Sequence, residues 1–169
     1  MTSINQEQEF VAQLQEHKAL LYKICRIYAL HETDREDLYQ EMIVQLWKSY
    51  PSFRGDAKFT TWMYRIALNT AISTVRKKNR SVVISYPEEI PREAADEKDH
   101  SREEQLSALY AAVAQLSELE RAIVTLYLED KSYDEMEEIL GINNGALRVK
   151  MNRIKEKLRK HTKATIYGT

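Results

Sequence analysis

Asn144, Arg148, Lys150, Asn152 and Arg153 put five long hydrogen-bond donors within one ten-residue stretch. An arginine can bond guanine O6 and N7 together, and an asparagine can do the same to adenine N6 and N7. This is therefore chemistry for reading base edges in a major groove. The same stretch carries Leu147, Met151, Ile154 and Leu158 at i, i+4, i+7 and i+11, so on a helix the apolar stripe and the donor face separate. Lys155, Lys157, Arg159 and Lys160 follow, placed for phosphates rather than bases. An αα-hairpin with a wet basic face has the same outline, and the charge distribution described below favours DNA.

A second candidate lies in the first half. Tyr50, Phe53, Phe59, Trp62 and Tyr64 interleave with Arg54, Lys58 and Arg65. Rings alternating with cations suit single-stranded nucleic acid, because unstacked bases rest on rings while cations follow the backbone. Helical spacing of Phe59 and Trp62 also fits burial in a core, and both readings stand at this point. Asn69 and Ser73, one turn apart and followed by Arg76 and Lys77, read either as a polar strip for bases and phosphates or as an ordinary solvated helix face. Asp37, Gln40 and Glu41 make an acidic patch with Trp47 two turns on. Such a patch is either a solvated face or, since repulsion keeps it away from DNA, a surface for a positively charged protein partner. The four histidines are scattered and Cys25 is alone, which leaves no metal-ligand spacing, disulfide or Cys–His pair.

Positioning these groups requires helices. The 169 residues contain only four glycines and three prolines, too few turn signals for a sandwich or barrel, so an all-α protein is expected. No apolar run approaches the roughly 18 residues of a membrane span, and the polar start, Met1 to Phe10, has no signal-peptide core. A cytoplasmic location without membrane insertion follows as the expectation. Phe10, Leu14, Leu21, Ile24, Cys25 and Tyr28 mark a first helix from Gln6 to Leu30. Thr33-Asp34-Arg35-Glu36 reads as a capping box for a second helix, running to about Lys48 before Pro51, with a stripe of Leu38, Ile43, Leu46 and Trp47. Ser52 to Ala57 is a turn, and Thr60 or Thr61 caps a third helix with Trp62, Ile66, Ala67 and Ile72.

Periodicity then dissolves between Ser81 and His100, where Pro87 and Pro91 bracket acidic residues; Val82–Ile84 reads equally as a short strand or a tether. Ser101-Arg102-Glu103-Glu104, Ser117-Glu118-Leu119-Glu120 and Ser132-Tyr133-Asp134-Glu135 are three further capping boxes, the first opening a helix with Leu106, Leu109, Tyr110 and Val113. Met136, Ile139, Leu140, the turn at Gly141 and the plug Ile142 complete a helix-turn-helix. The expected architecture is two small helical domains: a three-helix unit in 1–80 and a four-helix unit in 101–169, joined by a flexible linker over 81–100.

The overall charge of −1 hides a strong asymmetry. Residues 46–80 and 141–169 each hold eight Lys or Arg against one acid, while every other block is acidic. Two basic surfaces for polyanions, separated by acidic ones, are implied.

The run from Asp34 to Glu41, Ser52-Phe53-Arg54-Gly55-Asp56 and Phe59 through Ala71 together resemble the second conserved region of bacterial sigma factors. Leu116 to Arg121 and Ser132 through Gly145 resemble the fourth, and nothing between resembles the third. That layout is similar to the extracytoplasmic-function (ECF) group of the sigma-seventy family, across nearly the whole chain. The resemblance implies a dissociable, non-catalytic subunit, without cofactor, that binds core RNA polymerase, recognises two promoter elements and helps open the duplex. Asp37, Gln40, Glu41 and Trp47 would dock on the clamp helices of the β′ subunit. Phe53, Arg54, Gly55 and Asp56 would form the loop that receives a flipped nontemplate base at the minus-ten element, with Asn69, Ser73, Arg76 and Lys77 beside the melted strand. Flipping costs a few kcal/mol of stacking, which a pocket and cations offset. Asn144, Arg148, Lys150, Asn152 and Arg153 would meet duplex at the minus-thirty-five element. The acidic linker would thread the polymerase near its RNA exit, the β flap would be a further contact, and an anti-sigma factor is an implied partner.

Asn143, Ala146 and Val149 stand where the family often has Ser or Pro, Thr and Ser, and Asn152 replaces a larger residue. Hydroxyl contacts to phosphate are thereby lost. Two other classes make different demands on the sequence. A free-standing helix-turn-helix regulator would bind duplex alone, usually as a dimer, and no dimerisation seam is evident. A helical nuclease or hydrolase would need carboxylates facing a cavity, or a nucleophile beside its base.

Overall fold

The computed structural model describes residues 2–81 and 100–167. Most of the expected linker, with Val82–Ile84, lies outside the described residues. Seven helices and one 3₁₀ turn make up the described chain: α1 (Thr2–Tyr28), α2 (Glu32–Ser49), the turn Tyr50–Ser52, α3 (Phe59–Ser81), α4 (His100–Ala114), α5 (Glu118–Leu128), α6 (Tyr133–Leu140) and α7 (Asn144–Tyr167). No strand occurs among the described residues, and no helix there is long and apolar enough to cross a membrane.

Helices α1, α2 and α3 pack on one another, and α4, α5 and α6 gather around α7. Leu38, Met42 and Leu46 recur every four residues on the buried face of α2, which meets Leu21, Ile24 and Cys25 of α1 and Met63, Ala67 and Ala71 of α3 in one core. In the second unit Ile123, Leu126, Met136, Ile139, Leu147, Met151 and Ile154 are buried.

The two units also dock. Helix α1 touches α4 and α5, and α3 touches α5 and α6. The Tyr28 hydroxyl donates to the Glu118 carbonyl at 2.7 Å, Lys23 pairs with Glu129 at 2.7 Å, and Arg65 donates to the Glu138 carbonyl at 2.9 Å. Burial raises the phenolic pKa of Tyr28, which keeps this donor protonated.

Several helix starts differ from those expected. Helix α2 begins at Glu32 with His31 at its N-cap and no side-chain cap, so Thr33 lies inside the helix. Here Arg35 works backwards: its guanidinium donates to the carbonyls of Ala29 and Leu30 at 2.9 and 3.1 Å, closing off α1 instead. Helix α3 begins at Phe59, with the Lys58 carbonyl accepting from Trp62 N–H at 3.1 Å, which places Thr60 and Thr61 within the first turn rather than at its cap. Ser101 likewise lies within α4. Ser117 forms half a box, because Glu120 reaches across to Lys157 at 2.7 Å rather than back to the cap. Ser132 and Glu135 complete theirs, at 3.1 and 2.8 Å. Leu106 and Leu109, expected inward, are exposed; Ala112, Val113 and Leu116 supply the buried contacts near the end of α4.

Candidate nucleic-acid and polymerase interfaces

The helix-turn-helix forms as its residue types dictate. Gly141 ends α6 in the left-handed region at φ 70°, a conformation that penalises any residue with a Cβ. Asn143 then starts α7: its carbonyl accepts from Leu147 N–H at 2.9 Å and its side-chain oxygen from Gly145 N–H at 2.8 Å. Asn143, one of the departures from the family pattern, therefore serves as an N-cap. Leu147, Met151 and Ile154 are buried against the neighbouring helices, whereas Arg148, Val149, Asn152 and Arg153 are exposed. Lys150 is half-buried at the edge of this face. Packing side and donor side are thus separate surfaces of one helix.

Asn144 is placed differently from a simple base reader. Its amide nitrogen donates to Asp134 Oδ1 at 2.7 Å, its oxygen accepts from Arg148 Nε at 2.8 Å, and its backbone N–H donates to Glu137 Oε2 at 3.1 Å. The Arg148 guanidinium lies 4.5 Å from the centroid of the Tyr133 ring. Asp134 and Glu137 of the acidic helix α6 therefore anchor the start of α7. Tyr133 was not among the expected site residues; its only sequence signal is its place immediately after the Ser132 cap, one turn before the turn-facing Glu137.

In the first unit Asp37, Gln40, Glu41 and Trp47 are exposed on α2 and Asn69, Ser73, Arg76 and Lys77 on α3. Charge alone predicts that the acidic patch and the polar strip lie apart. In the structure Asp34, Asp37, Glu41 and Gln45 line one wall of a groove whose other wall holds Asn69, Ser73, Lys77 and Lys78. The helices run antiparallel, so the start of α2 faces the end of α3, and Lys78 pairs with Asp34 at 2.7 Å. Cations on one wall offset the repulsion expected of the other. Trp47 is 42% exposed but packs one side against Phe10 and Tyr50, with ring centroids 5.1 and 6.5 Å away.

The aromatic cluster resolves into support rather than open platform. Trp62 is buried, and Phe53 and Phe59 lie half-buried 5.0 and 5.4 Å from it, centroid to centroid. Phe59 also stacks on His17 at 5.7 Å. Beyond Phe53 the loop turns at Gly55 with φ 77°, leaving Arg54, Gly55 and Asp56 exposed. Among the described residues no group of His, Cys, Asp and Glu is arranged to hold a metal. Cys25 is buried beside Met42, and desolvation pushes its thiol up to about 11, far from a reactive thiolate.

Residues 14–81 match the family model for sigma-70 region 2, and residues 106–158 match that for sigma-70 region 4. An ECF RNA polymerase sigma-E factor of Haemophilus influenzae is 33% identical over 138 residues, covering 73% of this chain and 71% of its own length. The chain belongs to the ECF group of the sigma-70 family. The ECF sigma factor SigW of Bacillus subtilis is 26% identical, with 85% of this chain and 83% of the relative covered. SigE of Mycolicibacterium smegmatis is 27% identical over 90% of this chain, which spans 62% of that longer relative. Among solved structures, the sigma factor RpoE of Bartonella quintana, in complex with the anti-sigma factor NepR, superposes with a TM-score of 0.72 at 21% identity, covering 92% of this chain and 98% of that one. CnrH in complex with the cytosolic domain of CnrY gives 0.68 at 21% identity, over 94% and 90%. This sigma factor is an alternative one, serving promoter recognition and transcription initiation with RNA polymerase; such factors are non-catalytic subunits.

Proposed function

We propose that the two halves divide the promoter between them. Residues 1–80 engage core RNA polymerase and the minus-ten element, residues 101–169 engage the minus-thirty-five element, and 81–100 connect them. Asp37, Gln40, Glu41 and Trp47 dock on the β′ clamp helices. The loop Phe53, Arg54, Gly55 and Asp56 takes a flipped base, and Asn69, Ser73, Arg76 and Lys77 follow the melted nontemplate strand. Arg148, Lys150, Asn152 and Arg153 enter the major groove of duplex at minus thirty-five, with Asn144 at the helix start, and the β flap holds this second unit on the enzyme. The protein acts in the cytoplasm, where polymerase and promoters are, under control of an anti-sigma factor like the one bound by its Bartonella relative.

The observation that carries this reading is the exposure of Arg148, Asn152 and Arg153 over a stripe of buried Leu147, Met151 and Ile154. Arginine in that position discriminates bases, whereas the exposed Arg159 and Lys160 further along the helix meet phosphates. The test is reconstitution: purified chain with core polymerase, transcribing a pooled promoter library. A stable complex that redirects initiation to a distinct promoter set is the expected result. A chain that ignores core polymerase yet shifts duplex DNA alone as a dimer is instead a free-standing regulator.

A further inference from the structure

Arg148 is held from two sides. Its Nε donates to Asn144 Oδ1 at 2.8 Å, and its guanidinium rests 4.5 Å above the Tyr133 ring. Asn144 is in turn held by Asp134 at 2.7 Å, and Tyr133 by its place at the start of α6, immediately after the Ser132 cap. A long, exposed arginine ordinarily loses considerable rotamer freedom on binding, so prior restraint at Nε and over the ring lowers that cost. With Nε engaged, the guanidinium offers its two terminal amino groups, the edge that can bond guanine O6 and N7 end-on.

We infer that Tyr133 and Asn144 are positioning residues that present Arg148 to a guanine at the minus-thirty-five element, and that Asn144 reads no base itself. This inference rests on α7 being the recognition helix and adds to it the source of that helix's base preference. Each side of the Asn144 amide already has a partner inside the protein, so bidentate pairing with adenine would compete with the links to Arg148 and Asp134. The arrangement also assigns work to the acidic face of α6: Asp134 fixes the amide that fixes the arginine.

The experiment uses the full chain in holoenzyme and selects binding sites from a library randomised through the minus-thirty-five element. Arg148→Ala identifies the position at which guanine preference is lost, expected to be about tenfold. Tyr133→Leu, which keeps apolar bulk but removes the ring, and Asn144→Ala should each lower preference several-fold at that same position and leave the neighbouring positions unchanged. Tyr133→Phe, which retains the ring, should keep wild-type preference. Thermal melts of each variant separate lost folding from lost positioning; if Tyr133→Leu fails to fold, Asn144→Ala and Tyr133→Phe still decide. Wild-type preference in Asn144→Ala overturns the inference, and so does a change confined to a different position, which would make Asn144 a base reader. In either case, loss of preference in Arg148→Ala would leave the recognition-helix reading standing. An Arg148→Ala variant with unchanged preference removes that reading and the inference together.

Discussion

The two basic helices, α3 and α7, solve opposite problems of exposure. Helix α7 buries Leu147, Met151 and Ile154 along one stripe and leaves Arg148, Asn152 and Arg153 standing clear on the other. A convex ridge of this kind suits a duplex groove about 12 Å wide. Helix α3 buries Trp62, Met63, Tyr64, Ala67, Leu68 and Ala71 over a broad front, and its exposed Asn69 and Ser73 sit in a groove opposite the acids of α2. In the proposed function this groove takes a single strand, between a wall that attracts phosphate and one that repels it. Equal basicity in sequence therefore becomes two different kinds of surface, decided by how much of each helix its neighbours cover.

The sharpest way to break that contrast lies on α7 between adjacent residues. Leu147→Ala removes a fully buried side chain and should cost about 2–5 kcal/mol of stability in urea unfolding. Arg148→Ala should change stability by about 1 kcal/mol or less, yet weaken discrimination at minus thirty-five by about 1–3 kcal/mol. If the two effects were exchanged, the separation of packing and reading faces would be wrong. Glu41→Lys reverses a charge on the acidic wall, where Glu41 accepts from Gln45 at 2.8 Å. It should slow association with core polymerase roughly tenfold at low salt, less at high salt, and leave the melting temperature unchanged. Normal assembly kinetics would remove α2 from the docking face.

A smaller effect separates the DNA forms. Arg76→Ala should reduce the salt slope for single-stranded minus-ten DNA by about 0.7, and Arg159→Ala that for duplex by about 0.9. Equal effects of each on both forms would erase the distinction between groove and ridge. The smallest effect concerns the cap of α6. The Ser132 backbone N–H lowers the Glu135 pKa below its ordinary value, so the box contributes stability above the unfolded carboxylate pKa and loses it as pH falls through the lowered one. The difference between wild type and Glu135→Gln in urea melts should therefore be larger at pH 7 than at about pH 3.

Capping boxes illustrate how far local pattern reaches. Four are expected, at Thr33, Ser101, Ser117 and Ser132, each with Glu three residues later, and among them the one at Ser132 closes fully. It succeeds because both partners lie in the same turn and no distant group competes. At Ser117 the glutamate is drawn to Lys157, 37 residues away, and at Thr33 the helix has already begun at Glu32. Leu106 and Leu109 show the complementary failure: their spacing is helical, but the neighbours that would cover them are absent along that side of α4 among the described residues. The two faces of α7 were legible because a strict apolar period and a basic opposite face coincide over Leu147 to Leu158. Tyr133 was not, since a ring beside an arginine fifteen positions later is invisible to any short-range pattern.

Residue order alone determined that this chain is helical, where its two basic stretches lie, and that Gly141 turns one helix into the next, because periodicity, charge and a left-handed φ are local properties. Only the tertiary structure decided that acidic and polar strips on α2 and α3 share one groove, that Asn144 faces inward to Asp134, and that Tyr28, Lys23 and Arg65 bind the two units together. Those are contacts between residues far apart in sequence or on opposing helices, and their geometry exists only once the helices have packed.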